Sequence, residues 1–181
     1  MSSGPVARET GVPDDHRGSQ VVLYLDSSAL IKRYQNEQGT ETLNIRLREE
    51  AKGLRSVFTS VLTYAEIHAA FARRAREKLL SAEEAAAVQD EFDADWVLSI
   101  GPIELGTGVL VFVRDLVRGF PLLRSADAIH LASALWLRDM ARLGRKVDQY
   151  TGPLVFLSSD KQLVKAAAKN HLEVFNPETG T

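Results

Sequence analysis

Val21-Val22-Leu23-Tyr24-Leu25-Asp26 is the stretch from which the fold is read. Five apolar or aromatic residues in succession predict a strand buried on both faces, because a strand with one wet face alternates instead. An acid closes the run, so it stands at the strand's carboxyl end. Outward from this stretch, short apolar runs recur between longer segments of helical periodicity. Further strands are predicted over 56–60, 96–100, 154–157 and 173–175, and helices over 28–35, 40–51, 61–80, 81–95, 102–118, 125–143 and 161–169. Ser81-Ala82-Glu83-Glu84 is a capping box that opens one of them, and Pro102 would stand in the first turn of another. Strands separated by helices favour a parallel sheet covered on both faces, since parallel neighbours need long crossovers. In such α/β folds ligands bind at the carboxyl ends of the strands.

The 181 residues, 45% hydrophobic and 25% charged, have the balance of one globular domain. A chain of this size buries roughly 70% of its unfolded surface and needs no disulfide or metal staple. With no cysteine, thiolate zinc sites, iron–sulfur clusters and cysteine nucleophiles are excluded, which favours oxygen-bound metals. The 22 Lys and Arg against 24 Asp and Glu give a net charge of −2, so bulk charge alone does not hold nucleic acid. No apolar run approaches the ~20 residues of a membrane span, and no secretory signal opens the chain, so a cytoplasmic location is expected. Residues 1–20 read as a disordered leader, 21–177 as the domain, 178–181 as a tail, and 144–153 as a polar linker.

Four acids stand in positions that invite chemistry. Asp26 and Asp160 each follow a predicted strand, where an ordinary helix N-cap explains either one alone. Asp127 lies in the first turn of its helix, where the dipole welcomes a carboxylate. Glu66 is flanked by Leu62, Ala69 and Ala70, and is expected to leave an apolar stripe and not the basic face of Arg73, Arg74 and Arg76. A nearby Arg or Lys would neutralise it. Taken jointly, neighbouring carboxylates repel unless a cation neutralises them, and an all-oxygen set suits Mg²⁺ or Mn²⁺. Such an ion acts naturally on a phosphodiester.

Leu25-Asp26-Ser27-Ser28-Ala29-Leu30-Ile31-Lys32, the Glu66 helix, Ser125-Ala126-Asp127-Ala128-Ile129-His130-Leu131-Ala132 and Leu157-Ser158-Ser159-Asp160 resemble, in order, the four motifs of the PIN-domain family, particularly its VapC-type toxins. The resemblance implies a Rossmann-like three-layer α/β/α sandwich with a central parallel sheet. It also implies a metal-dependent endoribonuclease with Asp26, Glu66, Asp127 and Asp160 as catalytic and metal-binding acids. Ser28 and Ser158 would support them, and Glu66 would be a ligand or a base. Mg²⁺ or Mn²⁺ as cofactor, RNA as substrate, a small antitoxin as partner and a homodimer built on the helices of 61–95 follow from the same resemblance. The stretch 143–153 is longer than in compact members.

Lys32 and Arg33, Arg73 and Arg74, and Arg124 are candidates for RNA phosphates, although solvated helix faces are the first explanation for them. His68 and His130 read as packing or surface residues, since hard ions prefer oxygen. P-loop, dinucleotide and serine-hydrolase motifs are lacking, and Asp26-Ser27-Ser28 lacks the second Asp of an aspartyl phosphatase. A stand-alone RNA-processing nuclease and a non-catalytic binding module of the same fold are the alternative functions.

Overall fold

Strand β1 (Val22–Leu25) is buried at every position, as a central strand must be. The computed structural model describes residues 21–51, 56–145 and 152–181, so the expectations for 1–20 and for part of 144–153 fall outside the described residues. In it β2 (Val57–Ser60), β3 (Ile100–Ile103), β4 (Leu154–Leu157) and β5 (Glu173–Phe175) join β1 in one sheet of order β3-β2-β1-β4-β5. Every pairing is parallel. Seven helices connect the strands: α1 (Ser27–Leu30), extended by a 3-10 turn (Ile31–Arg33), α2 (Thr40–Glu50), α3 (Leu62–Arg76), α4 (Ala82–Leu98), α5 (Thr107–Gly119), α6 (Ser125–Arg142) and α7 (Lys161–Lys169).

Alternation within β1 builds the two halves of the core. Val22 and Tyr24 face α5, α6 and α7 with Phe58, Leu131, Leu135 and Phe156, and Tyr24 stacks on Phe156 at 5.4 Å. Leu23 and Leu25 face the other way, against Leu30, Leu43, Ile67, Phe71 and Phe92 of α1 to α4. The expected three layers are present. Each such side chain contributes roughly 1.5–3 kcal/mol by leaving water, so one buried strand organises both faces.

Three boundaries depart from the sequence reading. The run 96–98 is the end of α4 and not a strand, because Trp96 lies one turn from Phe92 and both rings pack on Tyr64, at 5.6 Å from each other and 5.2 Å for Trp96–Tyr64. Pro102 belongs to β3 and not to a helix, which begins at Thr107. A proline is tolerated there because β3 is an edge strand and its missing N–H leaves no interior ladder broken. Helix α3 stops at Arg76 and not near 80, since Lys78 turns left-handed at φ 57° and Leu79 N donates to Arg74 O at 2.9 Å. Lysine in place of glycine hid that stop.

The stretch 178–181, expected as a tail, folds back. Asn176 accepts the Glu178 amide through Oδ1 at 2.8 Å and donates its own to Thr181 O at 2.7 Å, which fastens the segment beside Gly39. Among the described residues no helix is long and apolar enough to cross a membrane. The stretch 61–95 buries Ile67, Phe71 and Phe92 and leaves Tyr64 and Leu79 exposed, and further exposed apolar side chains stand at Val97 and Leu98 and on α5 at Leu110, Val111 and Val117.

Candidate active site

The order β3-β2-β1-β4-β5 reverses direction between β1 and β4, and the crevice at that point is where an open parallel sheet presents its ligand site. Asp26 ends β1 there, its amide donating to Leu157 O at 3.1 Å, and caps α1 by accepting from Ala29 N at 2.9 Å. It is 3% exposed. Burial raises its carboxyl above the usual value, opposed by the charge of His130 and by donors from Ser158, Ala29 and Ser28. Ser28 Oγ reaches both carboxylate oxygens at 2.8 and 2.9 Å, and Ser158 Oγ donates to Oδ2 at 2.8 Å. Ser28 thus lies beside the acid it follows in sequence, whereas Ser158, read from sequence as standing before the last acid, reaches the first one across the sheet.

From Asp26 the network continues into the end of β4. Ser158 Oγ accepts from Asp160 N at 3.0 Å, and Ser28 Oγ accepts from Ser159 N at 2.9 Å. Asp160 caps α7, its Oδ1 accepting from Gln162 N and Leu163 N at 2.7 and 3.0 Å. Asp127 caps α6, its Oδ2 accepting from Arg124 N at 3.1 Å. These bonds engage one oxygen of each carboxylate.

Glu66 projects from α3 toward the same crevice. Its Oε2 lies 2.8 Å from Nε2 of His130, one turn beyond Asp127 on α6, and His130 Nδ1 lies 3.3 Å from Tyr24 Oη. Desolvation pushes the Glu66 carboxyl up, but the hydrogen bond and charge of His130 and a bond from Ser27 outweigh it, leaving it below the usual value. His130 is therefore a positioning residue for Glu66. Its 2% exposure fits the packing role read from sequence, while the partner could not be read there. His68 pairs with Asp93 at 2.9 Å between α3 and α4 and takes no part in the site.

A groove of about 510 Å³ opens beside these groups, lined among others by Ser27, Ser28, Glu66, Arg73, Arg74 and Ser159. This corrects the separation of Glu66 from the basic residues of its helix. Positions i and i+7 return to nearly the same angle, so Arg73 shares the Glu66 face and Arg74 borders it. Lys32 is a second correction. It lines the same groove but is 3% exposed, with Nζ 2.9 Å from both Glu37 and Glu178, so it ties the 3-10 turn to the folded-back segment and its charge is already matched by two acids. Arg33 points away from the groove and pairs with Asp95 at 2.8 Å. Arg124 is exposed beside Asp127.

As the side chains stand, no three Asp, Glu or His residues among those described form a group that could hold a metal ion. The donor chemistry nonetheless suits a hard dication. Asp26 is a carboxylate whose charge burial penalises, each capping acid has a second oxygen, and Ser159 Oγ is buried without a hydrogen-bond partner beside the groove. Ser27 and Ser159 escaped the sequence reading because serine between a strand and a helix is routine turn chemistry.

Residues 23–169 match the family model described as PIN domain. Ribonuclease VapC45 of Mycobacterium tuberculosis (strain CDC 1551 / Oshkosh) is 33% identical over 118 residues, 65% of this chain and 78% of that protein. Ribonuclease VapC49 of Mycobacterium tuberculosis (strain ATCC 25618 / H37Rv) matches to the same extent. Among solved structures, a chain of VapBC2 from Rickettsia felis bound to a DNA fragment from their promoter superposes with a TM-score of 0.58. At 12% identity over 86% of this chain and 98% of that one, this likeness shows the fold.

Proposed function

The chain belongs to the PIN-domain family, and on that premise we propose that it is a metal-dependent endoribonuclease serving as the toxin of a toxin–antitoxin pair. The observation that carries this reading is Asp26: a carboxylate buried at the sheet's switch point and held by two serine hydroxyls, one of which, Ser28, lines a groove with Glu66 and arginines on its wall. Asp26, Asp127 and Asp160 would hold Mg²⁺ or Mn²⁺, with Glu66 at its edge. Such an ion supplies Lewis acidity toward the phosphodiester and relieves the repulsion among the acids. Ser28 and Ser158 fix the Asp26 carboxylate against rotation. Glu66, kept ionised by His130 and Ser27, accepts the proton of the attacking water. Arg73 and Arg74 meet the RNA phosphates on the groove wall.

A small antitoxin covering this groove would act as inhibitor, and a homodimer would use the exposed apolar side chains of α5 in place of the helices of 61–95 named from the sequence. The decisive experiment follows cleavage of a mixed-sequence RNA with Mg²⁺, Mn²⁺ or EDTA, for the wild type and Asp26→Asn. Cleavage is expected with either metal, abolished by EDTA, and reduced in the variant by more than the roughly 10–100-fold typical of a supporting residue. Equal activity of the two proteins overturns the assignment, and absence of any cleavage favours a non-catalytic module. Growth arrest on expression, relieved by a small cognate protein, separates the toxin from a stand-alone processing nuclease.

A further inference from the structure

Helix α7 begins at the last of the four acids and carries Lys161, Lys165 and Lys169 at i, i+4 and i+8. At 1.5 Å per residue these stand about 6 Å apart along one exposed edge. Among the described residues none of the three has an acid within ion-pair distance, unlike Lys32, Arg33, Arg74 and Arg138. Lys161 also breaks a local rule. It occupies the first helical residue, where the dipole disfavours a cation, and no acid follows in that turn. Asp160 at the N-cap offsets Lys161 only in part and Lys169 stands at the favourable C-terminal end, so the cost is local to Lys161, yet a row of three exposed cations outside any ion pair points to something outside the chain that neutralises them.

The neighbouring surface specifies what. Between α7 and the turn after α5 lies a groove of about 190 Å³, walled by Phe120, Leu122 and Leu123 on one side and Gln162, Lys165 and Lys169 on the other. Leu122 is 76% exposed, and Lys169 Nζ sits 5.9 Å from the centre of the Phe120 ring. Two of the acids hydrogen-bond backbone at or next to the groove's lining residues. Asp160 holds the Gln162 amide at 2.7 Å, and Asp127 holds the amide of Arg124, next to Leu123, at 3.1 Å. The groove's walls are the turn before α6 and helix α7, whereas Arg73 and Arg74 line the other groove from α3.

We propose that this groove is a second RNA subsite, which seats one base of a single strand against the apolar wall of Phe120 and Leu122 while Lys161, Lys165 and Lys169 track the flanking phosphates. The inference rests on the nuclease reading for its choice of nucleic acid. Apolar walls for a base with cations along the backbone path are the combination that holds single strands without reading sequence. The site also explains how a chain of net charge −2 grips a polyanion: the cations are local and sit on both sides of the acids.

The test measures binding of a labelled single-stranded RNA 20-mer in EDTA, by fluorescence anisotropy over a salt series. The full chain is compared with Lys161→Ala/Lys165→Ala/Lys169→Ala and, separately, with Leu122→Ser. Each single-strand phosphate contact adds about 0.7 to the slope of log K against log salt, so losing three should flatten it by about 2. Leu122→Ser should weaken binding with the slope retained. In cleavage assays the triple variant should raise KM more than it lowers kcat. An unchanged slope with unchanged KM overturns the subsite while leaving the nuclease reading intact. Binding with these slopes by a wild type that cuts no RNA would sink the nuclease reading and keep the subsite. An unchanged RNA slope together with weakened binding of polyglutamate would mark the strip as a site for acidic protein and overturn the proposal.

Discussion

Ser158→Ala tests whether the Asp26 carboxylate is held as described. The hydroxyl is wholly buried, donates to Asp26 Oδ2 at 2.8 Å and accepts from Asp160 N at 3.0 Å. A hydrogen bond to an ionised group contributes about 1.5–3 kcal/mol, and an amide left without its acceptor costs about 1 kcal/mol more, so the loss should be about 2–4 kcal/mol. For a domain of this length, at roughly 2–4 °C per kcal/mol, the melting temperature should drop by roughly 4–16 °C. Ser159→Ala is the internal control. Its buried Oγ has no partner, so removing it should change stability by less than about 0.5 kcal/mol or raise it. Both variants would be unfolded in urea in the presence of EDTA at pH 7, beside Asp26→Asn and the double variant Ser158→Ala/Asp26→Asn. A double-mutant cycle should return a coupling of about 1 kcal/mol or more between Ser158 and Asp26. If Ser158→Ala lies within about 0.5 kcal/mol of the wild type, or matches Ser159→Ala, the bond does not restrain a charged carboxylate and the reasoning fails.

Burial raises the Asp26 carboxyl, so between its unfolded value and its folded one the native state holds a proton that the unfolded state has lost. This contribution therefore weakens stability as pH rises through that window. In EDTA the stability difference between Asp26→Asn and wild type should grow from pH 3.5 to 7, and a difference that shrinks contradicts the burial argument. Gly39 adopts φ 90°, and an added Cβ would meet the Pro177 carbonyl carbon at 2.8 Å, so Gly39→Ala should cost about 2 kcal/mol or more in urea unfolding. Ser81 and Glu84 exchange bonds of 3.1 and 2.8 Å at the start of α4, and Ser81→Ala should cost about 1 kcal/mol while sparing RNA cleavage.

Much of the fold is legible in residue order because it rests on local periodicity. The buried run ending in Asp26, the capping box at Ser81 and the order of strands and helices need no partner to be recognised. Reading failed where two local rules competed. Trp96-Val97-Leu98 satisfies a short apolar strand as well as a helix end, and only the contacts of Trp96 with Phe92 and Tyr64 settle it. Pro102 suits a first helical turn as well as an edge strand, and edges exist only once strands have been ordered.

The sequence by itself determined that this protein has a parallel sheet and carries an acid at the carboxyl end of two of its strands, since strand burial and strand termini are properties of contiguous residues. Only the tertiary structure decided which strands are neighbours, and hence that Ser158 reaches Asp26 across 132 positions of chain. It alone withdrew Lys32 into a buried bridge with Glu37 and Glu178, and left Lys161, Lys165 and Lys169 without an ion pair among the described residues. The reason is one of range. Backbone periodicity acts within a few residues, whereas the fate of a charge depends on what lies within a few ångströms, and distant segments meet there only after packing.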